Sequence, residues 1–435
     1  MKTNLTLAMV ALALLLQQAS ANELTVEGDR SAAAVSQLQA WLRTPRADRK
    51  PIAEQPLVAT ALTKADAAAA QELLWADHAE FIKATRTEEM QAKALTDGDA
   101  TMKFDTIVFP SKEAGAGDTK ADGSEAKDSS HPALFISMHG GGNAPPRVND
   151  SQWRNQLKLA NGYQPVNAIY VAPRAPSNSW DLWHTPIVDK LFGRLIENMI
   201  VLNNVDPDQV YLMGYSAGGD GAYQLAPRLA DRLAAASAMA GHPNNASPSG
   251  LRNLPFTIHV GGEDAAYGRN QVAADWDKQL NALEQADPQG YKHFVHVHAG
   301  KGHWMDLDDK EAIPWMQKFH RNPLPDRIVW RQGNTVHERF YWLAVEQPGA
   351  NGGDEIVAQR NGQTISVDVN SGTPKWRVRL SDAMLNLDEP LTITLGGKPL
   401  FQGKLPRTIG TLARTIEERG DPQSVFSAEY RAPAK

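Results

Sequence analysis

The sequence contains no cysteine. Disulfides, thiolate metal ligands, a cysteine nucleophile and a lipid-bearing cysteine are therefore excluded, and the fold must rest on packing alone. Basic charge is also scarce: 44 Lys and Arg face 50 Asp and Glu, a formal net charge of −6, with no basic block. Nucleic acid and anionic membrane surfaces are poor partners for such a chain. No apolar run is comfortably long enough to span a bilayer. The Leu- and Ala-rich stretch from Leu5 to Leu16 instead follows Lys2 and precedes Ala19, Ser20 and Ala21. That is the pattern of a secretory signal, so residues 1–21 are read as a leader, with the mature chain starting near Asn22 and no membrane anchor. The expected location is secreted or periplasmic.

The 435 residues are 42% hydrophobic and 22% charged, without low-complexity runs or internal repeats, which allows more than one globular domain. Residues 22–100 read as a helical region: Val35, Leu38 and Leu42 share a helical face, and Thr63 to Leu95 is rich in Ala and Glu. Asp77, His78 and the charges near Glu88 are expected on a solvated helix face. Residues 111–131 lack periodicity and should form an exposed loop. Residues 101–325 alternate short apolar runs (134–138, 168–172, 210–213, 233–239, 256–260, 294–297) with helical patterns such as 187–202 and the Val272, Trp276, Leu280, Leu283 stripe. This predicts an α/β domain, a mostly parallel sheet flanked by helices. From 326 to 435, Asn361-Gly362 and Gly396-Gly397 mark hairpins of a small antiparallel β module, with a helix over 411–419 stopped by Gly420.

Chemistry concentrates in the middle domain. In VYLMGYSAGGDGAYQLA (210–226), Ser216 lies between Gly214 and Gly218, where a buried strand turns into a helix. Glycines two before and two after remove side chains that would collide at a sharp turn, and they leave the serine hydroxyl projecting. A serine needs a base, and His303, just after the strand 294–297, is the best candidate. An imidazole needs an acceptor for its other nitrogen. Asp264 follows the preceding strand; Glu263, Asp306 and Asp308 are alternatives. FISMHGGGN (135–143) follows the first strong strand and offers backbone N–H groups for an oxyanion, from Gly140, Gly141 or Gly142, with Ala217 as second donor. His139 is expected to brace that loop rather than act as a base.

Over about residues 101–320 these pieces resemble the α/β-hydrolase family, in particular secreted bacterial esterases of the polyhydroxybutyrate-depolymerase-like and feruloyl-esterase-like groups. The resemblance implies Ser216 as nucleophile, His303 as general base, Asp264 as its orienting acid, and Gly141 with Ala217 as oxyanion hole. It also implies a small-molecule or polymer-derived ester substrate and no cofactor. The elbow reads Gly-Tyr-Ser-Ala-Gly-Gly, without the Asp that hormone-sensitive-lipase-like esterases usually carry before the serine. Its Tyr-Ser form echoes prolyl-oligopeptidase-like enzymes and keeps peptidase activity as an alternative.

Trp180, Trp183, Tyr215 and Trp304 are candidate substrate-binding residues, and His184 shares the Trp180–Trp183 loop. His293, His296, His298 and His303 form a patch in which His296 and His298 share a strand face. Without cysteine or an HExxH pattern, no metal is expected there. A metal-dependent hydrolase and a non-catalytic binding protein remain as rival readings.

Overall fold

The computed structural model describes residues 28–111, 131–346, 350–370 and 375–433. The leader expected at 1–21 lies outside them, as does nearly all of the loop expected over 111–131. Residues 28–43 are helical (α1) and lead through short 3-10 turns to α2 (Lys64–Gln91), whose first turn is capped by Thr63 Oγ1 accepting from the Asp66 N–H at 3.2 Å.

Eight strands then build one sheet: β1 (Ala94–Asp97), β2 (Ala100–Phe109), β3 (Ala133–Met138), β4 (Ala168–Pro173), β5 (Val210–Tyr215), β6 (Ala235–Met239), β7 (Phe256–Gly261) and β8 (His293–His298). Their spatial order is β1-β2-β4-β3-β5-β6-β7-β8. β2 runs antiparallel to both its neighbours, and β4 through β8 are mutually parallel. β1 falls inside the stretch read from sequence as helical, because four residues, ALTD, are too few to show a period.

The period of two sorts each strand's side chains to opposite faces. Leu134, Ile136, Val171 and Leu212 join one core with α4 (Pro186–Asn203), α5 (Ala217–Leu225) and α6 (Arg269–Ala286). Phe135, Tyr170, Tyr211 and Met213 join a second core with α3 (Pro146–Tyr163) and α7 (Ala312–Met316). With both faces covered, β3 to β7 have every residue buried, which is why they read as continuous apolar runs.

The C-terminal region is two facing sheets. β9 (Arg327–Arg331), β12 (Glu355–Asn361), β13 (Thr364–Val369), β15 (Leu391–Leu395) and β16 (Lys398–Gly403) form one; β10 (Arg339–Phe340), β11 (Leu343–Val345), β14 (Trp376–Leu380) and β17 (Ala428–Arg431) form the other. The β12–β13 and β15–β16 hairpins turn at Gly362 and at Gly396-Gly397. One pairing departs from the antiparallel expectation: β13 and β15 are parallel, because the chain crosses to the other sheet at β14 before returning. The module's Trp330, Phe340, Trp342, Val378 and Ile393 belong to the same continuous core as α4 and α6.

The two ends of the chain also share a core. α8 (Ile409–Arg419), closed by Gly420 in the left-handed region, packs Ile409, Leu412, Ala413 and Ile416 against Leu38, Ala67, Ala70 and Leu74 of α1 and α2. The opposite side of α2 faces α4. There His78 is buried and 2.7 Å from Glu197, which Arg86 also contacts, while Asp77 pairs with Arg46 and Arg49. The solvated face expected for His78 is therefore buried, since α2 lies between two helices rather than over one.

Arg321 joins the α/β domain to the segment after α8. Its guanidinium donates to Asp421 at 2.6 Å and Asp208 at 2.9 Å, with both Arg321 and Asp421 side chains 1% exposed. Burial pushes the Asp421 carboxyl up, but Arg321 and then Arg232 outweigh burial and hold it at about 2. Its folded value lies below the ordinary one of about 4. The stability it contributes is therefore complete above that pH and lost as pH falls toward about 2. We expect Arg321→Met, which leaves Asp421 buried without its guanidinium partner, to cost about 3–5 kcal/mol in urea unfolding at neutral pH. Leu412→Ala, at a fully buried position of the shared terminal core, is expected to cost about 2–5 kcal/mol in the same measurement.

Candidate active site

At the end of β5 the backbone turns through Ser216, at φ 58° and ψ −121°, and α5 begins at the next residue. A Cβ on Gly214 would sit 2.1 Å from the Gly218 carbonyl oxygen, and one on Gly218 would sit 2.1 Å from that of Met138. The two glycines are thus required by backbone meeting backbone at the crossing of strand and helix. The Ser216 N–H donates to the Met239 carbonyl at 2.9 Å, tying the turn to β6. Its hydroxyl lies at the positive end of α5.

Ser216 Oγ is 3.0 Å from His303 Nε2, and His303 Nδ1 is 2.7 Å from Asp264 Oδ2. The Asp264 side chain is 1% exposed and that of His303 is 43% exposed, so a buried carboxylate supports an imidazole open to the surface. A buried acceptor of this kind keeps a proton on Nδ1 and leaves the Nε2 lone pair for the serine. Arg269 lies 3.5 Å from Asp264 Oδ1. The loops after β7 and β8 approach closely at Gly261, where a Cβ would lie 2.0 Å from the Gly302 carbonyl oxygen. The alternatives to Asp264 point elsewhere: Asp306 and Asp308 each bind Lys301 at 3.0 Å, and Glu263 is exposed.

In the glycine loop, the Gly142 N–H is committed to Asn149 Oδ1 at 2.9 Å. Among the described residues no protein acceptor takes the Gly141 N–H, and Gly141 has φ 110°. His139 holds this loop from beneath. Its Nε2 accepts from the Ala175 N–H at 3.1 Å, so Nδ1 carries the proton and donates to the Gly140 carbonyl at 2.6 Å. Burial holds His139 down at about 4, so it stays neutral as a brace.

Two of the expected substrate-binding residues are placed differently. Trp183 is fully buried, donating its indole N–H to the His139 carbonyl at 2.9 Å beneath α5. Tyr215 is 8% exposed: its hydroxyl donates to the His303 carbonyl at 2.7 Å and accepts from the Met305 N–H at 3.1 Å. It faces the second core because the pleat sends the residue before Ser216 below the sheet edge, and its hydroxyl anchors the histidine loop. Trp180 and Trp304 are 57% and 48% exposed. Tyr267, three residues beyond Asp264, is 68% exposed, with its ring 6.2 Å from that of Trp180. Sequence reading passed over Tyr267, although an aromatic residue in the acid's own loop was a usable signal.

The histidine patch divides. His303 joins Ser216, and His293 turns to the Tyr291 carbonyl at 2.7 Å. His296 and His298 stack with ring centres 4.0 Å apart and are joined by His259 of β7 and by Glu311. His259 is fully buried, and burial, then His298 and His296, hold it down at about 3, so its imidazole is neutral.

No family model and no curated protein matches the chain. Among solved structures, a thermostable esterase is similar at 16% identity and TM-score 0.35, the match covering 52% of this chain and 62% of that one, less than two thirds of its length. A ferulic acid esterase is similar at 16% identity and TM-score 0.32, covering 50% of this chain and 98% of that one. An acetyl xylan esterase from Aspergillus awamori is similar at 15% identity and TM-score 0.34, covering 52% and 98%. Among the described residues no helix is long and apolar enough to cross a membrane. With its strand order, its antiparallel second strand and its serine turn after the fifth, the chain has the α/β-hydrolase fold.

Proposed function

We propose that the protein is a serine hydrolase that cleaves carboxylic esters by acyl transfer. The observation that carries this reading is the continuous relay from Asp264 through His303 to Ser216, at 2.7 and 3.0 Å, on a turn strained at the serine. Ser216 Oγ attacks the ester carbonyl as its proton passes to His303 Nε2. The tetrahedral oxyanion is stabilised by the N–H groups of Ala217 and Gly141, the first being the leading N–H of α5. His303 returns the proton to the departing alcohol, leaving an acyl-serine. A water molecule, deprotonated by the same imidazole, attacks that ester; the carboxylic acid leaves and Ser216 recovers its proton. Asp264 holds the Nδ1 proton throughout and supports the imidazolium.

Trp180, Tyr267 and Trp304 are the three exposed large aromatic side chains among the described residues, and all lie on loops at this edge of the sheet. They support a substrate with a flat ring or sugar face, which such side chains stack against. The leader pattern at residues 1–21 supports an exported enzyme.

Ser216→Ala is expected to lower turnover of p-nitrophenyl esters by at least about 10³-fold with an unchanged circular-dichroism spectrum; undiminished turnover would refute the relay. A panel that adds feruloyl and acetyl sugars and short peptides tests the ester assignment, and faster cleavage of the peptides would reverse it. Tyr215→Phe keeps the ring but removes both bonds to the histidine loop. We expect kcat to fall roughly 10- to 100-fold with KM little changed, since small misplacement of a reacting group is costly. A rise in KM of that size with kcat unchanged would make Tyr215 a substrate contact.

A further inference from the structure

We propose that His259, His296, His298 and Glu311 form a binding site for one divalent transition-metal ion, with zinc the expected occupant. The inference is independent of the esterase reading and departs from the sequence-based expectation of no metal. Four ligand atoms, one from each side chain, all lie within 4.8 Å of one another. His259 Nδ1 is 3.3 Å from His298 Nε2 and 3.6 Å from Glu311 Oε1, and His298 Nε2 is 3.9 Å from that oxygen. Ligands of a tetrahedral zinc, with bonds of about 2.0–2.1 Å, stand roughly 3.3 Å apart, so these spacings need little change. His296 Nδ1 and Glu311 Oε1 are in direct contact and must separate slightly to admit an ion. Their side chains are 44% and 40% exposed, which leaves them room to do so.

The backbone explains the convergence. His259 and His296 are register partners on the parallel strands β7 and β8, and His298, two residues on, shares the face of His296. Glu311 comes from the short helical turn Asp308–Glu311 that follows the histidine loop. The orientation of His259 is fixed from behind. The Thr257 hydroxyl donates to the Phe294 carbonyl at 2.8 Å, so it can only accept from His259 Nε2–H, 2.9 Å away. That places the proton on Nε2 and aims an unprotonated Nδ1 into the cluster, an outer partner of the kind that metal-bound histidines characteristically have.

Three imidazoles and one carboxylate supply four protein ligands, the number that a structural type of zinc site uses. Nitrogen-rich donors favour zinc, copper or nickel over magnesium and calcium. An open cavity of about 780 Å³, lined by His296, His298, Asp308 and Glu311 among others, supplies the entry path. His298 and Glu311 bracket the segment that carries His303, so a bound ion would fasten both ends of the loop that presents the base.

The test is equilibrium dialysis of the full-length protein against Zn2+ after removal of adventitious metal with EDTA, with zinc and protein quantified. One zinc per chain is expected, bound in the presence of excess Mg2+, together with a higher thermal midpoint than the metal-free protein. Glu311→Gln and His296→Gln, both at partly exposed side chains, are expected to weaken zinc binding at least about 10-fold, and His303→Ala to leave it unchanged. Absence of stoichiometric zinc in the wild type, undiminished affinity in both ligand variants, or loss of binding in His303→Ala would overturn the assignment.

Discussion

The constraint on which the site depends is the crossing of β5 and α5, where main chain lies against main chain. Gly214 and Gly218 leave no space for a methyl group between the strand, the helix and the end of β3. That contact forces Ser216 to φ 58°, and only this turn brings its hydroxyl to the sheet edge facing His303. Strain at one residue is tolerated because its surroundings over-determine it: the Ser216 N–H is held by β6, and the helix behind it is buried.

Around this crossing the other loops are fastened rather than free. Gly261 lets the loops carrying Asp264 and His303 touch. Tyr215, on the strand that supplies the serine, ties itself to the main chain of the histidine loop on either side of Trp304. His139 performs the same task for the glycine loop through two hydrogen bonds. Tyr215 and His139 each set a polar side chain against backbone, which fixes position more sharply than apolar packing does. The His259, His296, His298 and Glu311 cluster lies at the far end of the same histidine loop, and a cation there would extend this pattern of anchoring.

The C-terminal module and the N-terminal helices share continuous cores with the α/β domain and with each other. The module's tryptophans continue the core of α4 and α6, and α8 closes on α1 and α2. Arg321, Asp421 and Asp231, buried, and Asp208 and Arg419, partly buried, form a polar seam between the parts. Buried ion pairs of this kind gain little net stability against apolar replacements but penalise any other docking, since a misplaced partner leaves a charge uncompensated.

How much was readable in advance follows from the range of each interaction. Buried strands, the amphipathic stripe of α6 and the glycine stop of α8 come from local periodicity and backbone conformation, so the α/β class and most strand positions were legible. So were the serine turn and the candidates Asp264 and His303, because each follows a strand end, and strand ends in a parallel sheet share one edge. The short β1, the buried faces of His78 and Trp183, the inward turn of Tyr215, and the pairing of His259 with His296 and Glu311 were not. These depend on which element packs against which, on strand register and on how the chain crosses between sheets. Sequence by itself determined the local geometry and the inventory of reactive groups; tertiary structure alone decided which groups meet, because proximity between distant residues is a property of packing and not of neighbouring side chains.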